Sequence, residues 1–187
     1  MERVGAFGGS KDVAMINYPL GAAAEKGHAA VVKLLLAHAD VDPNVGATRW
    51  RYATFLLGSS WSPIYAAAQN GHAEVVKLLL AHADVRADCG GTRGPFGLLS
   101  AQSPVHTAAL NGHAGVVKLL LAHHDVRADS GGTRGPFGLL VAQSPVQVAA
   151  EKGHAGVVKL LLAHPDVCAN AGTTSGPFGL LSAYTPV

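Results

Sequence analysis

Residues 103–123 read SPVHTAALNGHAGVVKLLLAH, and close copies of this stretch begin at residues 18, 62 and 144. Each copy contains a Gly-His pair, and successive pairs are separated by 44, 41 and 41 residues. A fixed period of about 20 to 50 residues is typical of a stacked array, in which no unit buries its apolar face alone. The repeat therefore predicts a stacked array in which each unit packs against its neighbours.

Each unit has the start and stop signals of two antiparallel helices. A proline suits the first helical position, where its missing N–H costs nothing, and a preceding serine can cap the exposed amides. The glycine of the Gly-His pair supplies the left-handed residue that ends the first helix. In the second unit the segment AEVVKLLL has apolar residues around most of the helix, and only Glu74 and Lys77 suit a solvent-exposed face. The second helix must therefore pack against other elements on most sides. The predicted helix starts are Pro19, Pro63, Pro104 and Pro145, with caps at Ser62, Ser103 and Ser144 and turns at Gly27, Gly71, Gly112 and Gly153.

The third unit resembles the ankyrin repeat, whose motif runs T-P-L-H-x-A-A, G-H, V-V-x-L-L-L and then a turn rich in Ala-Asp-Val. Residues 103–109, the Gly-His pair at 112–113 and the segment at 116–121 follow the same order. The resemblance covers roughly residues 17–187. It implies an all-α, ankyrin-type helical solenoid of four helix-turn-helix repeats with long hairpin or loop fingers. It also implies the binding of other proteins rather than catalysis.

We expect residues 1–187 to form a single ankyrin-repeat domain. Its expected parts are a finger-like lead-in at 1–16, repeats at 17–61, 62–102 and 103–143, and a fourth repeat with an uncapped C-terminal finger at 144–187. Arrays need polar capping repeats for solubility. The uncapped end therefore predicts a segment of a longer array, a truncated gene product or a protein that stacks end to end.

The connecting fingers are longer than those of the family. The family period is about 33 residues, whereas the present period of 41 to 44 adds residues only between the helix pairs. The added part contains TRGPFGLL at 92–99 and again at 133–140, and TSGPFGLL at 174–181. In the third finger we predict that Val126–Asp129 pairs with Leu139–Gln143 around a Gly-rich tip.

One phenylalanine recurs in each of these fingers. Phe96, Phe137 and Phe178 are spaced by 41 residues, and Phe55 and Phe7 are candidates to extend the row. One interpretation is that these rings pack on one another and on nearby leucines, forming a second small core. The other is a shallow apolar strip, flanked by Arg93 and Arg134, of the composition that partner hot spots favour. The two interpretations can hold on different faces.

The histidine of the family motif survives only as His106, with Gly21, Tyr65 and Gln147 at the other three positions. Different residues at this position in otherwise similar repeats suit a surface that binds a non-repetitive partner. Neutral sequence drift would produce the same variation. If this histidine normally ties one unit to the next, the tie is mostly absent here. Glycines inside the second helices cost about 1 kcal/mol each relative to alanine, so we expect a stack of modest stability.

A charged ladder precedes each finger tip. Arg86 and Arg127 recur at one position, and Asp88 and Asp129 recur two residues later. Positive and negative side chains that alternate at this spacing usually lie along a solvent-exposed hairpin edge. The alternative is an electropositive strip for an acidic partner segment.

The histidines do not indicate a metal site, although the chain has ten of them. His72 and His82 are ten residues apart, nearly three helical turns, which is too far to share one ion. The Gly-His histidines start second helices, where the family motif places them. The stretch GGTRGPFG lacks the Gly-Lys-Ser/Thr of a phosphate-binding loop, and neither cysteine has a catalytic constellation. We therefore predict no catalytic, cofactor-binding or metal-binding residues.

The formal charge of +2 disfavours nucleic acid as a partner. No apolar run approaches the roughly 20 residues that span a bilayer, so we expect no membrane partner. Cys89 and Cys168 occupy non-equivalent repeat positions, which suits a reducing compartment better than a disulfide. A cytoplasmic, or alternatively nuclear, location follows as an expectation.

These observations predict a non-catalytic protein-protein interaction scaffold that binds a protein or peptide on its concave face and finger edge. One alternative is a structural spacer or an array that self-associates end to end through uncapped terminal repeats. Another is a targeting module of a larger protein, such as an enzyme. The predicted partner-binding residues are Arg93, Phe96, Arg134, Phe137, Phe178, Tyr65, His106 and Gln147.

Overall fold

A computed structural model describes residues 13–51, 58–94, 100–134, 139–168, 174–177 and 182–183. In these residues the helices occur in four consecutive pairs, as the repeat predicts. The pairs are α1 (Pro19–Lys26) with α2 (Ala29–Leu36), α3 (Pro63–Gln69) with α4 (Ala73–Leu80), α5 (Pro104–Leu110) with α6 (Ala114–Leu121), and α7 (Pro145–Glu151) with α8 (Ala155–Leu162).

The first helices begin as the sequence predicts. The hydroxyl oxygens of Ser62, Ser103 and Ser144 accept hydrogen bonds from the backbone amides three residues later, at 3.2, 3.1 and 3.2 Å. Each such bond satisfies one amide that the first turn of a helix leaves open. The first helix, α1, follows Tyr18 instead and has no side-chain cap.

The turn inside each pair is also confirmed. The glycines of the four Gly-His pairs have φ between 74° and 76°, in the left-handed region. The amide of the following histidine then bonds a carbonyl in the last turn of the first helix, as His113 does to Ala108 at 2.9 Å. The chain passes from one helix to the next with only two or three residues between them.

A single core runs along the stack, because first helices pack on first helices and second helices on second helices. Ala67, Ala108 and Ala149 are fully buried between the first helices, where their small side chains allow close approach. Val76 and Val117 are equally buried on the second helices. The stack thus has a narrow layer of alanines and a broader layer of valines and leucines.

The fingers and the lead-in join in one antiparallel sheet that runs along the edge of the stack. Each strand pairs with the strands before and after it in the chain, both within a finger and between neighbouring fingers. The described strands are β1 (Val13–Asn17), β2 (Ala47–Arg51), β3 (Gly58–Trp61), β4 (Gly91–Gly94), β5 (Ser100–Gln102), β6 (Gly132–Arg134), β7 (Leu139–Gln143), β8 (Thr174–Pro177) and β9 (Ser182–Ala183). The sequence predicted the hairpins but not the pairing between them.

The predicted strand over Val126–Asp129 is wrong, whereas Leu139–Gln143 is a strand as expected. Val126 and Ala128 are 8% and 2% exposed, so they pack against the core instead of joining the sheet. The intervening chain forms turns, with the Ser130 amide bonded to the Arg127 carbonyl at 3.0 Å. The pairing strand starts later, where residue 132 lies opposite residue 143.

In the described part of the chain, no helix has both the length and the apolar character needed to cross a membrane.

Candidate partner-binding surface

Tyr65 lies at the junction between the helix stack and the sheet. Its side chain is 9% exposed, and its hydroxyl donates a hydrogen bond to Gln102 Oε1 at 3.0 Å. A Cβ on Gly91 would lie 2.7 Å from the tyrosine ring, so only glycine lets β4 approach so closely. Tyr65 therefore fixes where the sheet begins above α3.

His106 has the same position in the next repeat and is 3% exposed. A Cβ on Gly132 would lie 2.6 Å from its ring. Neither ring nitrogen has a hydrogen-bond partner among the described residues. Burial lowers the pKa of His106 from 6.5 to about 4, because the low-dielectric surroundings disfavour the charged imidazolium. The ring is therefore neutral at pH 7.

Gln147 keeps more exposed surface than Tyr65 or His106. Its Nε2 donates to Glu151 Oε1 at 3.0 Å along the exposed side of α7. The sequence analysis assigned all three residues to partner binding, and that assignment stays a prediction. Because Tyr65 and His106 are buried, each can offer a partner only a small area of surface. Both side chains also pack against the first residues of finger strands, at Gly91 and Gly132.

Arg93 and Arg134 occupy equivalent positions in the sheet. Arg93 pairs with Ser59 on one side and with Ser100 on the other. Ser100 also pairs with Arg134, and Ser59 pairs with Arg49. Directly paired residues lie on the same face of an antiparallel sheet. Arg49, Arg93 and Arg134, named here the arginine row, therefore follow one line across five successive strands from β2 to β6.

Strands β4 and β6 begin close to the first helices. A Cβ on Gly91 or Gly132 would point at Tyr65 or His106, respectively. Neighbouring strands are about 4.8 Å apart, so successive members of the row are separated by about 10 Å. Arg49 was not predicted from the sequence, because no TRGPFGLL motif accompanies its strand, β2.

Phe96, Phe137 and Phe178 lie outside the described residues, as do Phe55 and Phe7. Both interpretations of the phenylalanine row therefore stay predictions.

Residues 9–88 and 94–171 match the family of ankyrin repeats, described as three copies. The chain belongs to the ankyrin repeat family. No curated protein matches it. Ankyrin repeats are generally protein-protein interaction modules and are typically non-catalytic. The helix pairs described above are the ankyrin helix-turn-helix units, which confirms the resemblance and the helical solenoid predicted from the sequence.

The histidines of the Gly-His pairs tie adjacent ankyrin repeats together. In each of the three junctions between repeats, the ring lies over the glycine of the preceding repeat and its Nε2 donates to a carbonyl at the end of the preceding first helix. We name this contact the His–Gly junction. The junctions are His72 with Gly27 and the Glu25 oxygen at 3.0 Å, His113 with Gly71 and the Gln69 oxygen at 3.1 Å, and His154 with Gly112 and the Leu110 oxygen at 3.2 Å. The tie that the loss of the motif histidine seemed to remove is thus supplied by another histidine.

The turns after the second helices carry the charged ladder. Arg86 and Arg127 are exposed there, but they belong to turns and not to a hairpin edge. Asn44 connects two ankyrin repeats, donating to the Asp84 carbonyl at 2.8 Å and accepting from the Arg86 amide at 2.7 Å. These turns therefore stabilise the stack below the sheet.

The corresponding aspartates are partly engaged in the same turns. Asp88 Oδ2 accepts from the Ser130 hydroxyl at 3.3 Å. Burial raises the pKa of Asp129. Asp88 thus contributes to a contact between repeats, whereas Asp129 is exposed.

Among the described residues, His123, His124 and Asp125 are close enough to offer three metal-ligand atoms within 4.8 Å of one another. The two rings stack, and His124 Nε2 lies 3.2 Å from Asp125 Oδ1. In the structure the carboxylate already pairs with His124, at a site where that ring is largely exposed.

Proposed function

We propose that this chain is a non-catalytic scaffold that binds an extended, acidic segment of a partner protein. The binding surface is the concave face between the sheet and the first helices. The observation that supports the proposal is the strand register, which links the backbone positions of Arg49, Arg93 and Arg134 through successive paired residues from β2 to β6.

The spacing of the arginine row suits an extended peptide. A peptide in the extended polyproline II conformation has three residues per turn, so side chains at every third position share a face. It advances about 3.1 Å per residue, so three residues span about 9 Å, close to the interval of about 10 Å between two arginines. Acidic side chains at every third position would each meet one guanidinium. Arginine forms bidentate, charge-assisted hydrogen bonds with carboxylates, which gives geometric specificity as well as attraction.

The other predicted contacts complete this surface. Phe96, Phe137 and Phe178 follow the sheet strands β4, β6 and β8 in the chain, and we propose that they supply apolar anchors for the partner. Gln147 adds a polar group on the fourth repeat. Tyr65 and His106 contribute at the floor of the surface, where they hold the strands in place.

The proposal is tested with fluorescein-labelled peptides and fluorescence anisotropy. One peptide has glutamate at every third position, and a second has the same composition with the glutamates adjacent. We expect the full chain to bind the first peptide more tightly, with an affinity that falls as salt is added. The variant R49E/R93E/R134E should lose this binding.

A matched control carries the same charge change outside the row. Arg86, Lys118 and Arg127 are exposed on turns and on an outer helix face. The variant R86E/K118E/R127E should keep most of the binding and the preference for spaced glutamates. Equal loss in both variants, or no preference between the peptides, would contradict the proposed surface. Circular dichroism checks that both variants keep the helices.

A further inference from the structure

The two end faces of the described stack carry the two halves of a His–Gly junction. On α2 the ring of His28 is exposed, and no described repeat precedes it. On the last repeat, nothing lies within 4 Å of the position where a Cβ on Gly153 would stand. The carbonyl of Glu151 occupies the place that Glu25, Gln69 and Leu110 occupy in the internal junctions. Each end therefore presents the group that the other end lacks.

Apolar side chains extend the first of these faces. Val31 is 45% exposed, whereas Val75, Val116 and Val157, at the same position in the later repeats, are each 1% exposed. Leu34 is 74% exposed. We name His28, Val31 and Leu34 the head face. The internal equivalents are covered by the preceding repeat, so the head face matches a surface that the stack buries three times.

The opposite face is also apolar. Val158 is half-buried, whereas Val76 and Val117 are fully buried at the same position, and Leu162 is 48% exposed. Together with Gly153 and Ala155 these residues line a groove of about 640 Å³. We name Gly153, Ala155, Val158 and Leu162 the tail face. It has the shape that accepts the next repeat in the stack.

We propose that the head face of one copy of this chain docks on the tail face of another. His28 then lies over Gly153 of the second copy and donates to the Glu151 carbonyl, as the internal histidines do. The three internal junctions support the second copy as the occupant, because they show this same set of residue types packed together within one chain. The proposal does not depend on the arginine row, which lies on the sheet.

The sheet accommodates the same contact. Strand β1 leads into α1 as β3 leads into α3, and β9 follows β8 as β3 follows β2, so β1 and β9 hold equivalent positions in their repeats. In the docked pair β1 takes the place of β9 against β8. The exchange gives a five-residue strand in place of a two-residue strand.

A head-to-tail contact uses two different surfaces, so each docked pair still has one free head face and one free tail face. Such heterologous contacts form open chains or rings instead of a single closed dimer. In sedimentation velocity of the full chain we expect the average mass to rise with concentration and to pass beyond the dimer. A monomer at all concentrations, or a dimer that never grows, would overturn the proposal.

Three variants make the test specific. V31E/L34E places charges on the head face, and L162E places one on the tail face, so each variant alone should lose the rise in mass. K33E lies on the same helix as the head face, but its equivalents in later repeats stay exposed, so it should associate like the unchanged chain.

A mixture gives the decisive result. V31E/L34E retains an intact tail, and L162E retains an intact head. An equimolar mixture should therefore form a heterodimer and nothing larger. Failure of the mixture to form this dimer, or equal disruption by K33E, would show that the faces do not pair in this way.

Discussion

The imidazole of His106 lies directly against Gly132, so that a Cβ at residue 132 would stand 2.6 Å from the ring. Tyr65 and Gly91 have the same relationship one repeat earlier, with a distance of 2.7 Å. In both places a large side chain from the start of a first helix meets a glycine at the start of a strand. This pairing sets the height of the sheet above the helices and, with it, the position of the arginine row.

Replacing Gly132 with alanine should destabilise the protein. The added methyl group overlaps the His106 ring, and overpacking of this kind costs about 1 to 3 kcal/mol. Urea denaturation of G132A measures the loss in the free energy of unfolding. The matched control is G115A, because Gly115 lies within α6 and has open space around it. That change should stabilise by about 0.5 to 1 kcal/mol, and a similar loss in both variants would contradict the close contact.

His106 should make stability depend on pH. Its folded pKa is lowered by burial from 6.5 to about 4, so between these values the unfolded chain binds a proton that the folded chain does not. Stability should therefore fall as the pH falls from about 6.5 to about 4, by about 3 kcal/mol over the whole interval. Below that interval this contribution stays constant.

The variant H106Y isolates this effect from other titrating groups. Tyrosine occupies the equivalent position in the preceding repeat, against a glycine that the structure places in the same way. Urea denaturation at several pH values should show a smaller loss of stability for H106Y than for the unchanged chain in this interval. Identical pH profiles would show that His106 does not stay neutral in the folded state.

The helices could be predicted from the sequence, because their signals are local. Proline at the first helical position, serine before it and glycine after it each act within one turn of the chain. Val126 shows where local reasoning failed. Its alternation with charged neighbours resembles a strand, but its side chain is buried against the core.

The candidate surface needed information that a linear pattern does not contain. The arginine row exists because neighbouring fingers pair in one register, which depends on how the repeats stack. Tyr65 and His106 occupy the same position in two repeats, and the variation at this position led to the prediction that both residues bind a partner. In the structure their rings are matched to Gly91 and Gly132, a pairing of residues 26 positions apart that only the folded chain reveals.

The caps Ser62 and Ser103 should contribute to stability through two bonds each. Ser103 Oγ accepts from the His106 amide and donates to the Ser130 carbonyl, so it connects the helix start to the turn before the next strand. S103A should lower the free energy of unfolding by about 1 to 2 kcal/mol.

Tyr18 offers the complementary change. It precedes α1 with an extended backbone like that of Ser62, but it makes no cap bond. Y18S should supply the missing acceptor and stabilise by about 0.5 to 1 kcal/mol. Thermal denaturation of both variants checks the signs, and a loss of stability in Y18S would show that the exposed tyrosine ring matters more than the cap.

The His–Gly junction should carry much of the coupling between repeats. His113 donates to the Gln69 carbonyl at 3.1 Å, and its ring covers Gly71. H113A removes this bond, and because the Gln69 carbonyl also accepts from Asn111 Nδ2 at 3.1 Å, the cost should be about 0.5 to 1.5 kcal/mol. His28 has no such junction among the described residues, so H28A should change stability by less than about 0.5 kcal/mol. Urea denaturation at low protein concentration compares the two variants without interference from association, and equal losses would mean that the histidine ring contributes only within its own repeat.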